Sequence, residues 1–299
     1  MKHKTALKNS PGDSVFYGIS NTALVLVLLL VAIPMLNIIA SSLSSTAAVI
    51  TGRVFVWPVE FSLDGYKAVL RESDVITGYM NTILYAVVGT IVNLIVTVLA
   101  AYPLSRKDLP GKRALTFLFT FTMMFNGGMI PTYLLIKNLG LINNRLVMIL
   151  PTALSVYNMI VVTTHFRTAL PGELLESAQI DGCSDFKFLW SIAIPLSKSV
   201  LSVVALFYAV GHWNAFFDAM LYLKDKAKYP LAIVLRDILV NSKFSSEVTS
   251  YEAMVASGQG SQEVLKYALI VISSLPLWCA YPFLQKSFVN GVMLGSLKG

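Results

Sequence analysis

Long apolar runs dominate this sequence and restrict the chain to one kind of fold. About 20 helical residues cross the hydrocarbon core of a bilayer, and six runs in the sequence reach roughly that length. A strand of a membrane barrel would instead have about 10 residues of alternating polarity, a pattern that these runs do not show. The sequence therefore predicts an all-α integral membrane protein with six transmembrane helices. The runs are Val15–Ala40, Gly78–Leu104, Ala114–Ile136, Leu146–Thr164, Leu196–Leu223 and Val264–Leu284.

The charge content agrees with a membrane location. Charged residues make up 13% of the chain, about half of the share that is usual in a soluble domain. A net charge of +7 would suggest nucleic-acid binding in a soluble protein, but Lys and Arg of membrane proteins accumulate on cytoplasmic loops. We therefore expect no nucleic-acid partner. The two cysteines and three histidines are scattered, so neither a disulfide nor a metal site is expected.

Basic residues also predict the orientation of the helices. Four of them, Arg106, Lys107, Lys112 and Arg113, lie in the short turn between the second and third runs. Short basic loops stay in the cytoplasm, so both termini of a six-span chain are expected on that side. The first run follows three lysines and is longer than a signal-peptide core. An uncleaved anchor helix is favoured, and a cleaved signal peptide is the alternative.

One charged segment, Glu173–Ile194, lies between two apolar runs on the predicted cytoplasmic side. Apolar residues recur through it at helical spacing, yet its acidic residues would be repelled by anionic lipid headgroups. We therefore expect it to bind a protein. Gly182 permits a sharp bend, and Pro195 suits the first turn of the next span, so the prediction is two short helices that meet at the glycine. The acidic residues are Glu173, Glu176, Asp181 and Asp185.

This segment resembles the EAA loop of binding-protein-dependent ABC importer permeases. The loop's motif is Glu-Ala-Ala, three residues, Gly, nine residues and then Ile-x-Leu-Pro. Here Glu176 to Ala178 is followed by Gly182 at that spacing, and Ile192 to Pro195 follows after nine more residues. Serine replaces the second motif residue and isoleucine replaces the leucine. The resemblance implies a six-helix type I ABC importer transmembrane domain in the plasma membrane of a bacterium.

In that family the loop contains a coupling helix, which seats on the ATP-hydrolysing subunit and transmits its closure to the membrane helices. The resemblance further implies a second permease subunit, two ATP-binding subunits and an extracytoplasmic solute-binding lipoprotein. It implies that this chain is no enzyme and holds no cofactor, because ATP and Mg are used by the ATPase. It assigns the coupling role to Glu176, Ala178, Asp181, Gly182, Cys183 and Pro195.

Further segments extend the resemblance over most of the chain. Trp57–Leu70, Asn81–Arg113 and Gly127–Pro151 resemble the maltose-permease-like branch that imports carbohydrates, in particular oligosaccharides. The ending Phe288–Gly299 resembles a tail that reaches toward the ATPases. The predicted division is residues 1–77 for the cytoplasmic tail, first helix and external loop, 78–286 for the permease core, and 287–299 for a cytoplasmic tail.

A second group of residues predicts a substrate path. Asp218 is acidic and lies well inside an apolar run, where a carboxylate costs on the order of 2.5–3.5 kcal/mol, so it should face the bundle interior. On one helix, Trp213, Asn214, Phe217 and Asp218 would share a broad face. Aromatic rings and hydrogen-bonding side chains suit sugars. The alternative is that the aromatic rings pack between helices and that Asp218 lies near the outer interface.

Two other classes of function stay open at this point. An ion-coupled secondary transporter of a small polar solute would need embedded carboxylates or broken helices, and Asp218 alone is thin support. A membrane-embedded enzyme would need a cluster of catalytic side chains, which the sequence does not suggest. Leu109–Leu115 partly matches a phosphate-binding loop, but Arg106 and Arg113 replace its glycine and Ser/Thr. ATP must therefore be bound by another chain.

Overall fold

The computed structural model describes residues 11–248 and 263–279, in which every regular element is helical. The predicted tail at 287–299 and the first ten residues lie outside the described residues. Short 3₁₀ turns occupy Arg145–Met148 and Lys226–Lys228, and a π turn occupies Leu189–Ala193. The α-helices are α1 (Pro11–Ser42), α2 (Thr46–Ile50), α3 (Asp64–Arg71), α4 (Ser73–Ser105), α5 (Lys112–Met124), α6 (Met129–Asn138), α7 (Val156–Ala169), α8 (Gly172–Ile180), α9 (Asp185–Phe188), α10 (Ile194–Leu196), α11 (Lys198–Trp213), α12 (Phe217–Tyr222), α13 (Leu231–Val248) and α14 (263–279).

The described residues divide into two compact units, of which the first contains 11–71, 238–248 and 263–272. Within this unit α1 is apolar on all sides and most of its side chains are exposed, with Leu30 75% exposed. A helix that is hydrophobic all round and not covered by protein fits a lipid environment. Asn37 donates hydrogen bonds to the carbonyls of Val54 (3.1 Å) and Phe55 (2.8 Å). These bonds tie the loop after α2 back to α1.

The second unit contains residues 72–237 and 273–279, and α4 lies at its centre. A Cβ atom on Gly89 would lie 2.4 Å from His212 Nε2, so α11 crosses α4 in close contact there. Asn93 Oδ1 and Thr97 Oγ1 continue the same face of α4, at 2.7 Å from His212 Nε2 and 2.6 Å from Tyr208 Oη. Small residues and hydrogen bonds of this kind hold membrane helices together, because lipid supplies no hydrophobic drive for their association.

Replacing Asn93 by leucine should destabilise the second unit by about 1–3 kcal/mol. Asn93 is fully buried, and its amide donates to the Thr152 carbonyl (2.5 Å) while its carbonyl meets His212. Leucine keeps the volume but leaves both partners unsatisfied. Thr90→Val is the matched control on the same helix, because the Thr90 hydroxyl is buried without a partner among the described residues. The melting temperature in detergent should fall for Asn93→Leu and stay at the wild-type value for Thr90→Val. Equal melting temperatures of the two variants would contradict the prediction.

The predicted spans differ in continuity. Two described helices are long and apolar enough to cross a membrane, α1 over Val15–Ser42 and α4, and the number rises to four if each of two bent pairs is one span. One pair is α5 with α6, which meet at 112° after Gly128, whose φ is +88°. The other pair joins Asp185–Leu196 to α11 at 84°. Among the described residues, the prediction of six transmembrane helices is therefore not confirmed, because glycine and polar residues interrupt the apolar runs. Residues 280–284 of the sixth predicted run lie outside the described residues.

Candidate coupling site

The charged segment folds as two helices that meet at Gly182. α8 ends at Ile180, Gly182 adopts a φ of +74°, and α9 starts at Asp185. Gly182 N donates to the Gln179 carbonyl (3.0 Å) and Cys183 N donates to the Ala178 carbonyl (2.9 Å). This pair of bonds is the Schellman motif, which favours glycine because a side chain is strained at positive φ. The predicted bend is confirmed, and its hydrogen bonds are local.

The inner side of the segment is held by apolar packing. Ala178, Phe188 and Ala193 are buried in one cluster with residues of α4, α7 and α11. The Phe188 ring lies 6.4 Å from the ring of Tyr102, centroid to centroid. Cys183 is half-buried and packs against the same cluster. A displacement of this segment should therefore be transmitted to α4, because close-packed side chains transmit strain.

The outer side of the segment is apolar and acidic at once. Ile180 is 87% exposed, Phe186 65% and Trp190 51%, and the rings of Phe186 and Trp190 meet edge to face at 6.2 Å. Glu176 and Asp181 are exposed beside them. Large exposed apolar side chains grouped on a short segment are typical of a surface that binds another protein. A surface that contacts lipid would not be expected to carry Glu176 and Asp181, because anionic headgroups repel carboxylates.

Arg106 joins this segment to the turn between α4 and α5. Its guanidinium donates to Asp185 Oδ1 (2.8 Å) and, through two nitrogens, to both carboxylate oxygens of Asp108 (2.8 and 2.6 Å). Tyr102 Oη accepts a further bond (3.3 Å), and the Arg106 side chain is only 15% exposed. We call these contacts the Arg106 bridge. No pattern in the sequence predicts this bridge, although Arg106 lies in the basic turn between the second and third apolar runs.

The contact between Arg106 and Asp108 within this bridge is stable over the physiological pH range. The bonds from Arg106 hold the pKa of Asp108 at about 2, and the bonds to Asp108 raise the pKa of the Arg106 guanidinium. A carboxylate with a lowered pKa stabilises the fold above its ordinary pKa, and that contribution is lost as the pH falls through the lowered value. The contact between Arg106 and Asp108 should therefore persist at neutral pH and weaken only below about pH 4.

Basic side chains also cover the end of α4. Arg167 donates to the Leu104 carbonyl (3.1 Å), and Lys112 Nζ donates to the carbonyl of Arg106 (2.5 Å). These groups satisfy carbonyls that the helix end leaves without partners, and they complement its negative dipole. They also line a cleft of about 680 Å³ together with Glu173 and Glu176. The cleft thus brings basic side chains of the α4–α5 turn and of α7 to the same space as acidic side chains of α8.

Pro195 does not start the next span, and that prediction is wrong. It lies in α10, which continues from α9 through the π turn at Leu189–Ala193, and the chain bends only after Leu196. Ile194 N donates to the Leu189 carbonyl in the wider π pattern. A proline lacks an N–H and disturbs the helix before it, and a π turn is one of the few local distortions that absorbs such a mismatch.

The predicted substrate-path residues do not share one helical face. α11 ends at Trp213 and α12 starts at Phe217, so the helix is broken between them and that prediction is wrong. The Trp213 indole donates to the Ser273 carbonyl (3.0 Å) and Asn214 donates to Val210 O (2.9 Å). Trp213 thus ties α11 to α14, in agreement with the alternative that the aromatic rings pack between helices, whereas the Asn214 bond lies within the end of α11. Phe217 is 48% exposed and Asp218 is partly exposed, and their contact with a sugar stays a prediction.

Comparisons with known proteins decide the family. The chain is 37% identical over 293 residues to the polygalacturonan/rhamnogalacturonan transport system permease protein YtcP of Bacillus subtilis (strain 168), which covers 98% of this chain and 100% of that protein. It is 43% identical over 267 residues to protein LplC of the same strain, covering 89% of each chain. The chain belongs to the permease subunits of carbohydrate ABC importers. No family model matches it.

A solved structure supports the same family. The permease fold resembles a chain in the crystal structure of a bacterial ABC transporter involved in the import of the acidic polysaccharide alginate. The TM-score is 0.85 at 34% identity, and the match covers 94% of this permease and 99% of that chain. The resemblance to ABC importer permeases is therefore confirmed. The permease is an integral membrane protein, and its relatives are transport permeases rather than enzymes.

Proposed function

We propose that this permease forms half of the membrane pathway of an importer for acidic oligosaccharides, driven by two separate ATPase subunits. A second permease supplies the other half, and an extracytoplasmic lipoprotein delivers the cargo. ATP and Mg are bound by the ATPases. Both termini and Glu173–Ile194 lie in the cytoplasm.

The bent segment at Gly182 is the observation that carries this proposal. Its inner residues are locked to α4, α7 and α11, whereas Ile180, Phe186 and Trp190 are exposed. An ion-driven transporter does not need a cytoplasmic segment that packs against the membrane helices on one side and exposes apolar side chains on the other. A permease that is moved by an ATPase needs such a segment, because the exposed side binds the ATPase and the packed side transmits its movement. The coupling roles of Glu176, Ala178, Asp181, Gly182, Cys183 and Pro195 are part of this proposal.

The acidic cargo is supported by what the relatives are named for. YtcP is a permease for polygalacturonan and rhamnogalacturonan, and the solved transporter imports alginate, an acidic polysaccharide. Uronate sugars carry carboxylates, and basic groups at the entrance of a transport path attract them. Other relatives in the family are named for arabinooligosaccharides and diacetylchitobiose, which are neutral sugars. The charge of the cargo thus separates the two groups of relatives, and transport of an acidic oligosaccharide is the property to be tested.

The test uses the whole complex in proteoliposomes, with the ATPases inside and the binding protein outside. Uptake of a galacturonate oligosaccharide should require internal ATP and the binding protein, and should be insensitive to ionophores that collapse sodium and proton gradients. A variant ATPase that binds but does not hydrolyse ATP is the control and should give no uptake. Uptake that follows an ion gradient without ATP would establish the secondary-transporter alternative instead.

A further inference from the structure

A short basic turn, Lys224–Lys228, lies at the end of α4 that is remote from the Arg106 bridge. It contains three lysines and one acidic residue, Asp225, and Arg145 lies against it. These groups carry a formal charge of +3, since four basic side chains stand against one carboxylate. The turn directly follows α12, which contains Phe217 and Asp218 of the predicted substrate path.

Polar side chains hold the backbone of the basic turn from two sides. Asn143, at a φ of +59°, accepts hydrogen bonds on Oδ1 from the amides of Lys224 and Asp225, both at 3.1 Å. On the other side, Asn81 donates to the carbonyls of Ala227 (2.9 Å) and Tyr229 (3.0 Å). Tyr85 Oη donates to the Lys228 carbonyl (2.8 Å). The turn is thus built onto α4, where Asn81 and Tyr85 are buried.

Two of the lysines are left for an external ligand. Lys228 Nζ donates to the Asn143 carbonyl (2.8 Å) and Arg145 donates to Asn81 Oδ1 (3.1 Å), so both serve the scaffold. Lys224 and Lys226 are exposed, and neither has a side-chain partner within the described part of the chain. A fixed backbone presents their ammonium groups at a reduced entropy cost for binding.

We infer that the basic turn receives the carboxylates of an acidic oligosaccharide as it passes from the binding protein into the membrane path. The inference rests on the acidic cargo proposed above. A docking site for the binding protein itself would involve about 20–30 residues on each side, and five residues are too few. Ammonium groups in water bind carboxylates weakly, which suits a cargo that must leave again.

The test combines charge removal on the protein with charge removal on the cargo. The double variant Lys224→Gln and Lys226→Gln is compared with wild type for uptake of a galacturonate oligosaccharide and of its methyl ester, which has the same sugars without charge. The variant should raise the apparent KM for the acid about three- to tenfold, and leave the ester unchanged. Added salt should raise the wild-type KM and not that of the variant. Lys198→Gln, an exposed lysine at the other end of α11, should behave as wild type.

Each contrary result points to one cause. Equal losses for acid and ester would show that the turn contacts the binding protein, and unchanged kinetics for the acid would show that it contacts neither; both overturn the inference. The proposed cargo fails separately, if wild type takes up the ester as well as it takes up the acid. The affinity of the transporter complex for the binding protein, measured with the same variants and without cargo, should be unchanged.

Discussion

Replacing Gly182 by proline should leave the permease in the membrane but abolish its coupling to the ATPases. Proline holds φ near −65°, whereas Gly182 has a φ of +74° and donates from its N–H to Gln179. The Schellman motif is therefore lost, and the residue before the proline is pushed out of helical geometry as well. The forced change of φ and the lost hydrogen bond together cost about 1–3 kcal/mol. The angle between α8 and α9 must therefore change, and the exposed apolar side chains of the segment are displaced from the positions in which they would bind the ATPase.

Gly182→Asn is the matched control. Asparagine tolerates positive φ better than other side chains, and a Cβ atom at this position would meet nothing within 4 Å. It should cost only about 0.5–1 kcal/mol and keep the bend. The two measurements are co-purification of the ATPases and cargo-stimulated ATP hydrolysis. Proline should fail in one or both, and asparagine should pass both. Wild-type ATPase co-purification and wild-type cargo-stimulated hydrolysis in the proline variant would contradict the coupling role of the segment.

Replacing Arg106 by glutamine should make transport inefficient while the complex stays assembled. The variant loses the ion pairs to Asp108 and Asp185, worth about 1–2 kcal/mol in total because both carboxylates are largely exposed. A change of that size shifts a two-state equilibrium about five- to thirtyfold. Since the apolar contacts of Phe188 remain, the segment should still bind the ATPases. The number of sugars imported per ATP should fall several-fold.

The two aspartates provide matched variants for this prediction. Asp185 and Asp108 both accept from Arg106, at 62% and 67% side-chain exposure, but only Asp185 belongs to the segment. Asp185→Asn should therefore lower the sugar-to-ATP ratio, whereas Asp108→Asn should change it little. Equal effects of the two would mean that Arg106 acts only on the turn between α4 and α5, and the bridge would have no part in coupling.

The features that could be read from the sequence depend on neighbours along the chain. The apolar runs identify membrane helices by length and composition alone. The bend at Gly182 uses hydrogen bonds that span no more than six residues, so the spacing of glycine and apolar residues was sufficient to predict it. The EAA motif is equally local, and it led to the family that the comparisons confirmed.

The features that could not be read depend on packing between distant segments. Arg106 and Asp185 are 79 positions apart, and no local pattern pairs this arginine with that aspartate rather than with water. The break after Trp213 places its ring against Tyr79, and the helix gives way there although its composition would allow it to continue. Pro195 lies inside a helical segment because a π turn accommodates it. Local preferences of about 1 kcal/mol are outweighed in each case by contacts that exist only once α4, α7 and α11 have come together.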